Sequence, residues 1–339
     1  MPSTRIAAPR ALQKSAQAEM FAGMTAEQPA FGIVCVLFAA ITAFAAMTLS
    51  SHAGAAGARD LKILNADAHF PEGPIWYHNR LYYVEYGRNT VTLWDGKTNI
   101  VFASEPGCGP SAVLPTVHGE FVVTCYDNGS IGRLSADGKA LPAYTHDKDG
   151  RGFLGPNDFA PDEHGGIFFT TSGHQGPEID GCVFYLAADG AISQAASDLH
   201  NANGLAVSKD GEFLYVVETD DNRLLRFKIG AGASLTDRRV FVNLDELTKH
   251  VGHIWPDGVK IDSKGNIYIG QSPRDIKAPL AGMIFIVDAH ARLLRTLSLP
   301  SPGVPNFALS PDEKTLYVTA VDQPDKSPYR GKVYAISNR

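Results

Sequence analysis

Residues 203–217 read NGLAVSKDGEFLYVV, and this stretch decides the fold. An Asn-Gly pair opens a short apolar segment, the polar turn Lys209-Asp210-Gly211 follows, and an apolar-aromatic segment closes the unit. A polar turn between two such segments predicts a β-hairpin. Residues 257–269 repeat the same order as DGVKIDSKGNIYI, so the hairpin is a repeating unit.

The hairpin occurs six times after residue 60, and each copy begins with a polar residue. These openers are Glu72, Ser111, Asn157, Asn203, Asp257 and Asn306. A third strand, such as residues 224–227, follows in most copies. The period of about 40 to 55 residues is that of propeller blades and is too long for a solenoid coil. We therefore predict an all-β, six-bladed β-propeller over residues 59–339.

The two ends of this region predict how the ring closes. The last copy ends after its third strand, whereas residues 61–64 form an extra strand before the first copy. Pairing of this N-terminal strand with the last blade would remove two sheet edges that would otherwise invite aggregation.

Residues 1–58 differ from the rest of the chain. Basic residues precede an apolar run from Phe31 to Leu49, and small residues follow at 53–58. This order is typical of a secretory signal peptide cleaved near Ala55 or Ala58, with an uncleaved membrane anchor as the alternative. Either interpretation predicts an exported protein, periplasmic or secreted, that touches a membrane only through this segment.

Charge limits the partners. The formal net charge is -6, and the chain has no Lys/Arg cluster of the kind that neutralises phosphates, so nucleic acid is excluded as the expected partner. A small molecule fits better, bound by a monomer or a small homo-oligomer.

Cys108, Cys125 and Cys182 remain after Cys35 of the apolar run is set aside. Cys108 and Cys125 could pair in an oxidising compartment or stay as buried thiols.

The openers predict a metal site. Since the first strand of each blade lines the channel, two carboxylates, three amides and one hydroxyl should meet at one mouth. Hard cations prefer such oxygen ligands. The competing interpretation is that Asn-Gly and Asp-Gly are only hairpin turn formers. Buried carboxylates in register would repel each other without a cation, and Ca²⁺ is favoured, with Mg²⁺, Mn²⁺ and Zn²⁺ as alternatives.

Five segments together resemble the gluconolactonase/regucalcin (senescence marker protein) family. They are Pro71-Glu72-Gly73-Pro74, Pro156-Asn157-Asp158, Asn203-Gly204-Leu205, Pro256-Asp257-Gly258-Val259 and Pro305-Asn306-Phe307-Ala308. The resemblance covers essentially the whole chain after residue 60 and implies a six-bladed propeller. It also implies that Glu72, Asn203 and Asp257 ligate a divalent metal, with Asn157 as a further ligand or substrate contact.

The resemblance implies metal-dependent hydrolysis of a lactone or ester. Asp257 is the predicted general base, because Glu72 is expected to be committed to the metal. The other predicted substrate contacts are Ser111, Asn306 and His253. Loop histidines are alternatives for proton transfer, namely His69, His174, His200 and His253. No G-x-S-x-G sequence supports a serine nucleophile.

Some positions depart from the family pattern. Sugar lactonases of this family usually carry Arg two residues before the Asn of the third motif, where this chain has Gly155. Many relatives place an Asp where this chain has residues 170–172, Thr-Thr-Ser. The side chains of Phe70, Phe153, Leu154 and Trp255 could form an apolar wall for substrate or cap the core.

Two other functions stay open. A strictosidine-synthase-like or paraoxonase-like propeller would keep the fold and metal but perform other chemistry. A non-enzymatic propeller of the cell envelope would bind a ligand or partner, because fold alone does not fix function.

Overall fold

The computed structural model describes residues 61–248, 252–271 and 281–339. The predicted signal or anchor segment of residues 1–58 lies outside them, as does Cys35. In the part of the chain that the structure describes, no helix is long and apolar enough to cross a bilayer.

Strand β1 (Leu61–His69) precedes four sheets, each of four consecutive antiparallel strands. The first sheet holds β2 (Pro71–Tyr77), β3 (Arg80–Glu85), β4 (Thr90–Trp94) and β5 (Asn99–Ser104). The second holds β6 (Pro110–Pro115), β7 (Phe121–Cys125), β8 (Ser130–Leu134) and β9 (Ala140–Tyr144). The third holds β10 (Pro156–Pro161), β11 (Ile167–Thr171), β12 (Gly181–Leu186) and β13 (Ile192–Leu199). The fourth holds β14 (Ala202–Val207), β15 (Phe213–Glu218), β16 (Arg223–Ile229) and β17 (Leu235–Asn243).

The fifth sheet has eight strands. It contains β1 together with β18 (Pro256–Ile261), β19 (Ile267–Gln271), β20 (Gly282–Val287), β21 (Leu293–Leu299), β22 (Gly303–Leu309), β23 (Thr315–Val321) and β24 (Arg330–Ser337). Strand β1 pairs with β24, with Leu61 opposite Ile336, which confirms the predicted pairing of the N-terminal strand. Among the described residues, one β-pair, Gln271 with Val304, joins the group β18–β21 to the group β22–β24.

The first strand of each group lies at the centre of the molecule. These strands contact one another in a closed cycle, in the order β2, β6, β10, β14, β18, β22 and back to β2. Apolar side chains pack between neighbouring groups, as Phe168 of β11 does with Leu214 of β15. The chain is thus an all-β propeller whose core lies between its radial sheets.

The outermost strands show little of the apolar alternation that predicted the other strands. They are β5, β9, β13, β17 and β21. Ile100 and Val101 of β5 are exposed, and Pro142 interrupts β9. An outer strand is held mainly by backbone pairing to its neighbour, so its side chains need not alternate. The helices are short, as expected: α1 is Leu244–Leu247, and 3-10 turns lie at Tyr86–Arg88 and Ala231–Ala233.

The two ends of the channel differ in the chain segments they carry. We call the end at which the central strands begin the mouth face. The opposite end, which carries hairpin turns such as residues 208–212, is the turn face. Because paired strands are antiparallel, the second strand of each hairpin ends at the mouth face, as β7 does at Cys125.

Candidate functional site

Each central strand has a register irregularity beside its opener. The irregularities lie between Glu72 and Ile75, Pro110 and Ala112, Pro156 and Phe159, Ala202 and Leu205, Pro256 and Val259, and Gly303 and Asn306. A bulge bends a strand and redirects the side chains around it. The opener therefore departs from regular alternation in every central strand.

The glycines that follow three openers are required by close packing between central strands. A Cβ on Gly204 would lie 2.4 Å from the carbonyl oxygen of Asp257, and one on Gly258 would lie 2.5 Å from Cγ of Asn306. A Cβ on Gly73 would lie 2.3 Å from Cα of Ala112. These Glu-Gly, Asn-Gly and Asp-Gly pairs lie inside β2, β14 and β18, so the hairpin-turn interpretation is wrong for them.

Glu72 and Asp257 form a buried pair of carboxylates at the mouth. Each residue is 8% exposed. Burial raises the pKa of Glu72 well above its usual range, and the negative charge of Asp257 raises it further. The amide of Gly73 donates to Oε2 of Glu72 at 2.9 Å, which opposes that rise. Two acids held this close out of water favour a shared proton or a cation between them.

Asn157 and Asn203 are the openers of the neighbouring central strands β10 and β14. Asn203 is 8% exposed, and Asn157 is half-buried. Nδ2 of Asn157 donates to Oγ of Ser172 at 3.1 Å, and Oδ1 is the acceptor atom of that amide. Oγ1 of Thr170 donates to the carbonyl of Asn203 at 2.6 Å. The Thr-Thr-Ser segment, where relatives place an Asp, thus ties β11 to β14.

A second polar network crosses the channel at Asp158. Nζ of Lys260 and Nδ2 of Asn306 both lie 3.2 Å from Oδ2 of Asp158. The three residues come from β10, β18 and β22, which are far apart in sequence. Asp158 raises the pKa of Glu72 and Lys260 lowers it, so the network is electrostatically linked to the carboxylate pair. Sequence analysis did not identify Lys260 as a site residue. In a regularly alternating strand, Lys260 would point to the face opposite Asp257.

Two predicted substrate contacts are engaged within the chain. Oγ of Ser111 lies 2.8 Å from the carbonyl of Asn157, linking β6 to β10. Oδ1 of Asn306 accepts the amide of Phe307 at 2.9 Å, and its Nδ2 donates to Asp158. Substrate contact by Ser111, Asn306 and His253 stays a prediction.

The four candidate histidines of the mouth face have carboxylate neighbours, and the loop prediction is wrong for His69, which is the last residue of β1. His200 lies 2.8 Å from Asp221 through Nδ1 and 3.0 Å from the carbonyl of Gly176 through Nε2. Burial opposes protonation of His200, but these hydrogen bonds outweigh it and raise its pKa. The remaining pairs are His253 with Asp245 at 3.0 Å, His174 with Asp180 at 2.6 Å and His69 with Asp67 at 3.9 Å.

The aromatic residues near the mouth separate into core and rim. Phe153 is 6% exposed, with its ring 5.3 Å from that of Phe169, so it caps the core. Phe70 and Trp255 are half-buried and stand two residues before Glu72 and Asp257.

Cys108 and Cys125 form a disulfide at the mouth face, and Cys182 is a half-buried free thiol.

The donor set at the mouth fits a hard divalent cation. Among residues 61–248, 252–271 and 281–339, no three His, Cys, Asp or Glu side chains are placed to hold a metal together. The mouth offers two buried carboxylates, and amide oxygens accompany them. Calcium accepts such mixed carboxylate, amide and water oxygens, whereas a thiolate or imidazole site would suit zinc.

Fold and site together define a β-propeller with a buried, oxygen-rich polar site at one mouth of its channel. The family model described as SMP-30/Gluconolactonase/LRE-like region matches residues 70–322. The chain therefore belongs to the SMP-30/gluconolactonase family.

A curated relative and two solved structures are similar to this chain. A gluconolactonase from Zymomonas mobilis is 25% identical over 297 residues, covering 77% of this chain and 78% of the relative. The structure of a gluconolactonase from Xanthomonas campestris matches with a TM-score of 0.67 at 22% identity, covering 82% of this chain and 89% of that one. A calcium-binding regucalcin from Agrobacterium tumefaciens matches with a TM-score of 0.66 at 17% identity, covering 81% and 92%. The two structures support the propeller fold.

Proposed function

We propose that the protein is a metal-dependent hydrolase that opens a lactone ring at the mouth of the channel. The observation that carries the proposal is the buried pair Glu72 and Asp257, in which burial first and the charge of Asp257 second raise the pKa of Glu72. Such a pair is costly to keep charged unless a cation lies between the two carboxylates. Membership of a family whose named relatives include gluconolactonases supplies the reaction class.

The residues that would hold the cation are Glu72, Asn157, Asn203 and Asp257. Ca²⁺ is the first choice, supported by the all-oxygen donor set and by the calcium-binding regucalcin of the same fold. When bound, a divalent cation polarises the lactone carbonyl and stabilises the charge that develops on its oxygen.

Asp257 would take the proton from the attacking water. Glu72 already accepts the amide of Gly73, which suits a fixed ligand better than a base that must move a proton. His200 is a weaker candidate, since both ring nitrogens lie within hydrogen-bond distance of Asp221 and Gly176. A base must reach the proton it removes, so an engaged ring is at a disadvantage.

The number of blades belongs to the same proposal. We count six, dividing the eight-stranded sheet into β18–β21 and β22–β24 with β1. The closed cycle of central strands and the single pair Gln271 with Val304 support this division. A crystal structure with five or seven blades would overturn it.

The experiment on Asp257 tests the function. Protein stripped of metal by a chelator should be inactive on γ- and δ-lactones and aryl esters, and Ca²⁺, Mn²⁺, Mg²⁺ or Zn²⁺ added singly should restore turnover. Asp257→Asn should lower kcat/KM by at least about 100-fold, because ligand and base are lost together. The control Asp189→Asn alters an exposed turn carboxylate and should keep activity. Absence of turnover with every metal would refute the hydrolase.

We also propose that the protein acts outside the cytoplasm. The Cys108–Cys125 disulfide supports this, because disulfides persist in oxidising compartments. Cell fractionation and N-terminal sequencing of the mature protein check the proposal. Recovery from the cytoplasm with the apolar run of residues 31–49 intact would contradict it.

A further inference from the structure

The mouth face carries a repeated left-handed backbone position two residues before the opener. It occurs in five central segments, at Phe70, Gly109, Gly155, Asn201 and Trp255, with φ between 47° and 62°. Glycine adopts this region freely, but for a bulky aromatic residue it is a real outlier. Strained backbone of this kind tends to persist where function requires it, so the side chains around these positions are candidates for substrate contact.

At Gly155 the ring of Tyr126 occupies the space that a side chain would take. A Cβ added to Gly155 would lie 3.0 Å from Cε2 and 3.2 Å from Cζ of Tyr126. The Tyr126 amide donates to the carbonyl of Gly109 at 3.0 Å, and its hydroxyl accepts Nε2 of Gln175 at 2.5 Å. The ring is therefore held at both ends, in the space beside Gly155.

Three further aromatic side chains form a cluster at the neighbouring part of the rim. The ring centre of Phe70 lies 5.7 Å from that of Tyr86 and 6.4 Å from that of Tyr329, and the last two are 6.3 Å apart. The hydroxyl of Tyr86 donates to Asp127 at 2.9 Å. All three rings are half-buried, so each keeps some surface open to solvent.

Backbone hydrogen bonds join the members of the cluster, and the chain connects it to the candidate ligand Glu72. The amide of Phe70 donates to the carbonyl of Tyr329 at 2.6 Å, and the amide of Tyr86 donates to the carbonyl of Phe70 at 3.1 Å. Phe70 stands two residues before Glu72 in the chain. A substrate whose carbonyl lies beside Glu72 would therefore extend its remaining atoms along these rings.

We propose that the site takes lactones fused to an apolar, planar ring in preference to polyhydroxylated sugar lactones. This inference rests on the proposed lactone hydrolysis. Aromatic faces stack favourably on a planar ring. The hydroxyls of a sugar lactone would lose hydrogen bonds to water there and find no arginine at position 155 to replace them.

The reaction on such a substrate is simple hydrolysis. Water adds to the carbonyl carbon, the acyl carbon-oxygen bond of the ring breaks, and the ring oxygen leaves as a phenol hydroxyl. The acyl part becomes a carboxylate, and one proton is released to solvent. Dihydrocoumarin is a suitable probe, and glucono-δ-lactone is the polar comparison.

The first test compares the two probes on metal-loaded wild-type protein. We expect kcat/KM for dihydrocoumarin to exceed that for glucono-δ-lactone at least about tenfold. Equal or faster turnover of glucono-δ-lactone would overturn the substrate class and leave lactone hydrolysis intact. No turnover of either probe or of other lactones, with any metal, would instead overturn the proposed function.

The second test removes the rings. Tyr126→Ala should raise KM for dihydrocoumarin about tenfold with kcat nearly unchanged, and should leave glucono-δ-lactone unaffected or improved. Phe70→Leu, which keeps apolar volume without a ring, should act in the same direction. Tyr144→Ala, on the turn face beside Arg133, is the control and should change neither probe. Unchanged KM for dihydrocoumarin in folded Tyr126→Ala and Phe70→Leu proteins would overturn the aromatic wall.

Discussion

Acidic side chains on the mouth face and on the turn face of this propeller show opposite shifts of their pKa values. On the turn face, backbone amides and the side chain of Arg292 lower the pKa of Asp288 to about 2. The amides of Thr98 and Lys97 likewise lower the pKa of Asp95. At the mouth, burial and Asp257 raise the pKa of Glu72.

The difference lies in the supply of hydrogen-bond donors. A tight turn points several amides at one carboxylate and satisfies it locally. Central strands that converge on a channel bury carboxylates close to one another, and the amide of Gly73 that donates to Glu72 only opposes the resulting rise in its pKa. The turn therefore favours the charged form of Asp288, whereas the mouth favours the protonated form of Glu72.

The largest expected effect on stability comes from cutting the disulfide of the mouth face. Cys108 and Cys125 are 17 residues apart, and a loop of that size predicts a loss of about 3 kcal/mol in the free energy of unfolding. Cys108→Ser/Cys125→Ser should show this loss in denaturant titrations. Cys182→Ser should stay within about 0.5 kcal/mol of wild type. A double variant as stable as wild type would mean that central packing alone holds the rim.

A second expected effect concerns Glu72 and sharpens the electrostatic comparison. In metal-free protein a raised pKa means that the folded state binds the proton more tightly than the unfolded state. Stability should therefore be highest below the ordinary Glu pKa of about 4.3 and fall as pH rises through the raised value. The fall is about 1.4 kcal/mol for each pH unit that separates the folded-state pKa from the unfolded-state pKa. Glu72→Gln cannot ionise, so it should flatten this dependence and be the more stable protein at neutral pH.

Thermal unfolding in chelator from pH 4 to pH 8 measures this effect, with Glu163→Gln in an exposed turn as the control. Added Ca²⁺ should reverse the order, because ligand binding to the folded state stabilises wild type by about 2.7 kcal/mol at 100 times the dissociation constant. Identical pH curves for wild type and Glu72→Gln in chelator would contradict the buried, repulsive pair.

The smallest expected effect is on the turn face. The lowered pKa of Asp288 gives stability that is present above the unfolded Asp pKa of about 3.9 and is lost as pH falls towards 2. Asp288→Asn should therefore lower the melting temperature at pH 7 by no more than about 2 °C, since its ion-pair partner Arg292 is exposed to solvent and the pair is weak. This difference should vanish near pH 2. A difference that is equal at both pH values would show that charge is not its cause.

The sequence alone was sufficient to predict the repeat, the pairing of strands into hairpins and the family. Hairpin turns and alternating apolar strands are local signals, so Phe213–Glu218 and Ile267–Gln271 could be read directly. The openers Glu72, Asn203 and Asp257 could be selected because they recur in register. Pairing of Leu61–His69 with the last strand followed from counting strands.

Only the tertiary structure decided how these residues meet. The salt bridge from Asp158 to Lys260 joins residues 102 apart in sequence, and no local sequence pattern can predict such a contact. The same holds for Tyr126 filling the space at Gly155, and for the choice between a disulfide and free thiols at Cys108 and Cys125. The repeat in the sequence identifies which residues open the central strands, whereas the contacts among their side chains depend on how the bulged strands converge.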